Sequence, residues 1–91
     1  MFAVIVRNKV NVEGKQEYIE ISKKFAKEMV QVEGCIESKV LVSNLEQDSV
    51  INFELWRSEA DFQNYNGEIF LKYKPELKKY FLGNETETFK M

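Results

Sequence analysis

Residues 35–56 read CIESKVLVSNLEQDSVINFELW, and this stretch decides the fold. Its first part alternates, with Ile36, Ser38, Val40 and Val42 on one side and Cys35, Glu37, Lys39 and Leu41 on the other. A period of two is the mark of a strand with one face toward a core. Asn44–Asp48 is a polar turn, and beyond it Val50, Asn52, Glu54 and Trp56 alternate with Ile51, Phe53 and Leu55. Two such runs around a short polar turn predict an antiparallel hairpin over 35–43 and 50–56.

The chain before the hairpin supplies a strand and a helix. Phe2–Val10 is rich in β-branched residues and grows more polar toward its end, as expected of a strand buried on both faces at its start. Asn11–Gly14 is a turn. Tyr18, Ile21, Phe25, Met29 and Val32 then step by 3, 4, 4 and 3, one apolar stripe along a helix predicted from Lys15 to Val32. Gly34 is placed to end that helix in a left-handed conformation, which costs a residue without Cβ little.

After the hairpin, Ser58 offers an N-cap with Asp61 at the capping-box position. The helix it starts carries Phe62, Tyr65, Ile69 and Tyr73, with Asn66-Gly67 as an interruption. Pro75, lacking an N–H, is predicted to break or restart it. A last turn ends at Gly83-Asn84, and Glu85–Met91 forms a final strand. The order is β-α-β-β-α-β across one domain, residues 1–91. It implies an α+β, ferredoxin-like antiparallel sheet with both helices on one face. A second copy of the chain is the economical cover for the other face, giving a sheet-to-sheet homodimer.

Composition narrows the chemistry. The chain has 91 residues, 13 basic against 15 acidic, one cysteine and no histidine. Without histidine there is no Ser-His-Asp or Cys-His machine, and one thiol cannot build a Cys/His zinc site. Single Cys35 fits a reducing compartment. With no basic excess, nucleic acid is not an expected partner. The apolar run Phe2–Val6 is too short to span a bilayer and lacks a signal-peptide pattern, so no membrane partner and a cytoplasmic location are expected. A chain this short buries roughly 60% of its unfolded surface, yet 44% of its residues are apolar. That surplus also favours a homodimer.

Few residues are left to do chemistry. The four glycines are far apart, so no phosphate loop exists and no nucleotide or flavin is suggested. Glu54 has no acidic neighbour in sequence and reads as a solvated or dimer-facing residue. Cys35 follows a helix C-terminus, which works against thiolate formation, and reads as a buried small residue. Lys72, Lys74, Lys78 and Lys79 interleave with Glu68 and Glu76 as a solvated helix face. Asn8, Asn52, Trp56, Tyr65, Phe70 and Tyr73 are different: they come from the central strands and the second helix, where this architecture leaves a cleft. Asn is disfavoured inside strands, so Asn8 and Asn52 are either ligand-binding amides or exposed end and edge positions.

Several segments resemble a known family. Arg7-Asn-Lys-Val10, Glu13-Gly-Lys15, Val32-Glu-Gly-Cys35 and Phe53-Glu-Leu-Trp-Arg-Ser58, with Ala60 and Phe62, are similar in order to the antibiotic biosynthesis monooxygenase domain. The Glu-Gly-Cys after the first helix and the Trp-x-Ser before the second are the most specific pieces. The resemblance implies a dimeric α+β barrel. It also implies membership of a group that includes cofactor-independent oxygenases of anthrones and quinols, haem-degrading monooxygenases and isomerase-like members. In the first of these the substrate itself reacts with O₂ while the protein removes a proton and stabilises the anion, with no metal or other cofactor. Asn8 matches the first-strand Asn that haem-degrading members place beside the ligand, and Trp56 also matches a family position. Tyr65 stands at the pocket-facing position of the second helix. The haem-ligating His would fall within Phe70–Pro75, where this chain has Lys72, Tyr73 and Lys74, so the imidazole has no counterpart. The expectation is a cofactor-free monooxygenase acting on a small aromatic or quinol-type molecule. Asn8 and Tyr65 would be catalytic, and Asn52, Trp56, Phe70 and Tyr73 substrate-binding. The competing expectation is a non-catalytic small-molecule-binding or sensing dimer of the same fold.

Overall fold

A computed structural model describes residues 1–91. Its elements are β1 (Phe2–Val10), α1 (Lys15–Met29), β2 (Cys35–Val42), β3 (Ser49–Trp56), α2 (Glu59–Asn64), α3 (Glu68–Leu77) and β4 (Phe81–Lys90). The four strands form one sheet in the order β2-β3-β1-β4, every neighbouring pair antiparallel. This is the ferredoxin-like α+β fold expected from the order of elements.

The register sorts the side chains. Pairs Phe2–Trp56, Val4–Glu54, Val6–Asn52 and Asn8–Val50 lie opposite each other on β1 and β3, on the side that packs against the helices. One apolar cluster on that side joins Phe2, Val4, Phe25, Met29, Cys35 and Trp56. A second joins Val10, Tyr18, Ile19, Val50 and Leu77. On α1 the buried face is Tyr18, Ile19, Ser22, Phe25, Ala26 and Met29, wider than the stripe read from the sequence. The opposite face of the sheet carries Ala3, Ile5, Ile51, Phe53 and Leu55, and no helix covers it.

Several local expectations are corrected. Helix α1 stops at Met29, and residues 30–34 descend through turns in which Val32 donates to the Met29 carbonyl and Cys35 to that of Val32. Gly34 does take a positive φ, +89°, but it launches β2 rather than capping the helix. The alternation of β2 is broken by a bulge: Cys35 pairs with Trp56 and Glu37 with Leu55, leaving Ile36 as the extra residue. Cys35 therefore shares the helix-facing side with Ser38, Val40 and Val42.

The second helical region divides at Asn66-Gly67, where Gly67 has φ +74°. Ser58 caps α2 by accepting from the Asp61 N–H, as its spacing indicates. Tyr65 is thus not helical; it is the extended residue closing α2 (ψ 127°). Pro75 neither breaks nor restarts α3, which continues to Leu77. Only the Leu71 carbonyl loses its helical donor there, at an exposed turn where water replaces it. Strand β4 begins at Phe81 and runs through Gly83-Asn84, because β1 offers a paired position along its whole length from Val10–Phe81 to Phe2–Lys90. No helix is long and apolar enough to cross a membrane.

Candidate functional site

Four of the six residues singled out from the sequence meet at the helix-facing side of β1 and β3. Asn8 is a central-strand residue and only 4% exposed, so it is neither a strand end nor an edge. Its Nδ2 donates to the Val50 carbonyl (3.0 Å) and to Asn52 Oδ1 (2.7 Å). Both amide hydrogens are thereby used inside the protein. Asn52 is held by its oxygen and has its own Nδ2 free of protein partners.

Trp56 is fully buried at the end of the same strand face. Its ring lies 5.9 Å from that of Tyr65 and 5.7 Å from that of Phe62. The Tyr65 hydroxyl accepts from the Ile69 and Phe70 N–H groups (3.1 and 3.2 Å), tying the α2–α3 junction to the first turn of α3. Tyr65 thus joins the scaffold to the site. Burial, above all, raises its pKa.

Phe70 and Tyr73 stand elsewhere. Both rings meet Phe25 of α1 edge-on, at 6.2 and 6.4 Å, and Phe70 is 43% exposed. The Tyr73 hydroxyl donates to Glu28, which also pairs with Lys72 at 2.8 Å. These two residues fasten α3 to α1.

Glu54 is the residue that the sequence left out. It lies between Asn52 and Trp56 on the helix-facing side, opposite Val4 on β1 and Ser38 on β2. It is half-buried, neither solvated nor on the open face. The indole Nε1–H of Trp56 donates to its Oε1 at 3.1 Å. Burial pushes its carboxyl above the ordinary carboxylate range, and the Trp56 hydrogen bond opposes this in part. Its charge is felt by Cys35, whose thiol is pushed up to about 11, first by burial and then by Glu54. A thiol held there is protonated, and Cys35 is an inert part of the core. The signal for Glu54 was in the parity: Asn52, Glu54 and Trp56 alternate onto one face.

No buried side-chain nitrogen or oxygen lacks a partner. Asn52 Nδ2 and Glu54 Oε2 have none within the chain, so both open onto accessible space. The site therefore presents a hydrogen-bond donor and a carboxylate oxygen, two residues apart on one strand face and roughly 7 Å apart along it. Cavities approach from both ends. One of about 490 Å³ has Asn8, Asp48 and Asn84 in its wall; another, of about 430 Å³, has Val32, Asp61 and Tyr65. No group of acidic, histidine or cysteine side chains could hold a metal ion.

Comparison with known proteins agrees with this architecture. Among solved structures, a conserved protein from Methanosarcina mazei superposes with a TM-score of 0.85 at 23% identity, covering 98% of this chain and 90% of its own. A cofactor-independent oxygenase, SnoaB from Streptomyces nogalater, gives a TM-score of 0.78 at 17% identity, covering 99% and 91%. An Asn-to-Ala variant of SnoaB is similar at 0.80 and 16%, again covering 99% and 91%. At such identities these likenesses establish the fold. No curated protein matches the chain. The family model described as antibiotic biosynthesis monooxygenase matches residues 1–80, and the chain belongs to that family.

Proposed function

We propose that the protein is a cofactor-independent monooxygenase acting on a small, electron-rich aromatic of the quinol or anthrone type. The observation that carries this reading is the Asn8–Asn52 amide pair, buried in the central strands beside Trp56 and Tyr65 with one amide group open. Asn8 orders Asn52, and the Asn52 N–H groups meet the substrate oxygen on which charge develops. Trp56 and Tyr65 form an aromatic wall, and Phe70 and Tyr73 hold α3 over it. For an anthrone the balance is simple. The ring CH₂ becomes C=O, one oxygen atom of O₂ enters the product, the other leaves as water, and the substrate supplies the electrons. A hydroperoxide formed at the deprotonated carbon and losing water accounts for every atom. No cofactor is needed for that balance, in keeping with the family's cofactor-independent members.

The protein works as a homodimer in this reading, with the open faces of two sheets against each other. The apolar row Ile5, Ile51, Phe53 and Leu55 supports it.

Oxygen uptake tests the assignment. With hydroquinones and anthrones, Asn8→Ala should lower kcat/KM by about 10²-fold, the scale of losing an oriented oxyanion donor. Tyr65→Phe should lower it less, through a loosened α2–α3 junction. Equal uptake by wild type and both variants would end the assignment. One observation favours a second reading: the Tyr65 and Tyr73 hydroxyls are engaged in the scaffold. That suits a small-molecule-binding or sensing dimer, for which ligands would raise Tm without any turnover.

A further inference from the structure

We propose that Glu54 is the general base of this site, taking the substrate proton at Oε2 while Asn52 Nδ2 donates to the oxygen that becomes negative. The proposal rests on the quinol-oxygenase reading above and deepens it. The substrate O–H, or the anthrone C–H, breaks; its electron pair stays on the substrate and the proton moves to Oε2. O₂ is the oxidant in the step that follows.

Geometry carries the assignment. A base must be oriented, reachable and basic enough. Glu54 is oriented because Trp56 Nε1–H holds Oε1 at 3.1 Å. It is reachable because Oε2 has no protein partner and is not sealed off. It is free of ion pairing, for the paired cations Arg7, Lys9, Lys39, Arg57 and Lys72 are engaged with Glu87, Asp48, Glu37, Asp61 and Glu28. In a chain without histidine, it is the carboxylate lodged between the amide pair and the aromatic wall.

Its surroundings tune it in one direction. The titratable groups facing it are the Cys35 thiol of β2 and the Tyr65 phenol at the α2–α3 junction, both neutral near pH 7. Helix α1 brings Phe25 and Met29 to this cluster, β1 brings Val4 and Val6, and α3 brings Ile69 and Tyr73, whose hydroxyl is held by Glu28. No cation offsets the burial of the carboxylate. It therefore holds a proton more readily than a surface glutamate, as a base at near-neutral pH requires.

The test has an anaerobic and an aerobic arm, each with the full-length protein and 1,8-dihydroxyanthrone or a substituted hydroquinone. Without O₂, binding to wild type should shift the ligand's absorption to that of its anion, and Glu54→Gln, which keeps an oxygen for Trp56, should bind the neutral form. With O₂, Glu54→Gln should lose about 10²–10⁴-fold in kcat with KM within about threefold, and the acid limb of the pH–rate profile should vanish. Trp56→Phe removes the hydrogen bond that favours the carboxylate, so its acid limb should move to higher pH. Anion formation and turnover by Glu54→Gln equal to wild type, or an unmoved limb in Trp56→Phe, would overturn the role of Glu54 and leave the oxygenase reading standing. A wild-type anion shift without oxygen uptake would support Glu54 as base and overturn the oxygenase reading. Neither shift nor uptake in wild type would overturn both.

Discussion

The two faces of the sheet are built the wrong way round for a simple two-layer domain. The face under the helices, where a continuous apolar surface is the usual solution, carries Asn8, Asn52 and Glu54 between its two apolar clusters. The face without helices carries Ile5, Ile51, Phe53 and Leu55, with Leu41 and Phe89 at 45% and 37% exposure. Charged pairs fringe it, Arg7 with Glu87 and Lys39 with Glu37. Polar residues inside cost stability unless they are hydrogen-bonded, and apolar residues outside are wasted unless they are covered. The inversion assigns a task to each face: chemistry under the helices, association on the open side.

The sharpest way to break that division is to put a charge on the open face. Phe53→Asp should cost roughly 3–5 kcal/mol for each of the two copies that a symmetric interface buries. Light scattering at micromolar concentration should then find wild type at twice the chain mass and the variant as a monomer. A monomeric wild type, or a variant that keeps the wild-type assembly, would leave the apolar open face without the role given to it.

The next largest effect belongs to the helix side. Trp56 is fully buried against Phe62 and Tyr65, so Trp56→Ala should cost about 3–5 kcal/mol through lost burial and the cavity left behind. Urea unfolding measures it. A loss under about 1 kcal/mol would mean that the indole lines a collapsible pocket instead of anchoring the core, and the helix-facing side would then be site throughout.

How far this inversion can be read in the sequence differs along the chain. β1, α1 and the β2–β3 hairpin declare themselves because their periodicity is local: neighbouring residues in the chain decide the face of each. Strand β4 does not, since Gly83-Asn84 and Pro75 carry local signals for a turn and a break that pairing with β1 and packing of α3 override. The bulge at Ile36 is equally silent, because alternation reads the same until the partner strand shows which residue is extra. At the site, Asn8, Asn52 and Trp56 stood out by residue type. Tyr65 was found but assigned to a helix it only terminates, and Phe70 and Tyr73 were drawn in by composition although their partners lie on α1. Glu54 was missed for a physical reason. A carboxylate was expected to need an acidic neighbour in sequence to be unusual, whereas burial between the sheet and the α2–α3 junction perturbs it without one.

That burial gives the last and smallest stability effect, the one with opposite sign. A carboxyl whose pKa is raised on folding binds its proton more tightly in the native state than in the unfolded chain. Its contribution favours the fold fully below the unfolded value of about 4.3. It is lost as pH climbs through the interval up to the raised native value, and is constant above it. Glu54→Gln removes this penalty while keeping the shape and an acceptor for Trp56. The variant should therefore melt above wild type at pH 7, with the difference shrinking as the pH is lowered toward 4. Because Glu54 is only half-buried, the gain should stay below the loss at Trp56. Thermal melts across that pH range would show either this convergence or parallel curves. Parallel curves would mean that the carboxylate is solvated, and the helix-facing side would lose the feature that distinguishes it from an ordinary core.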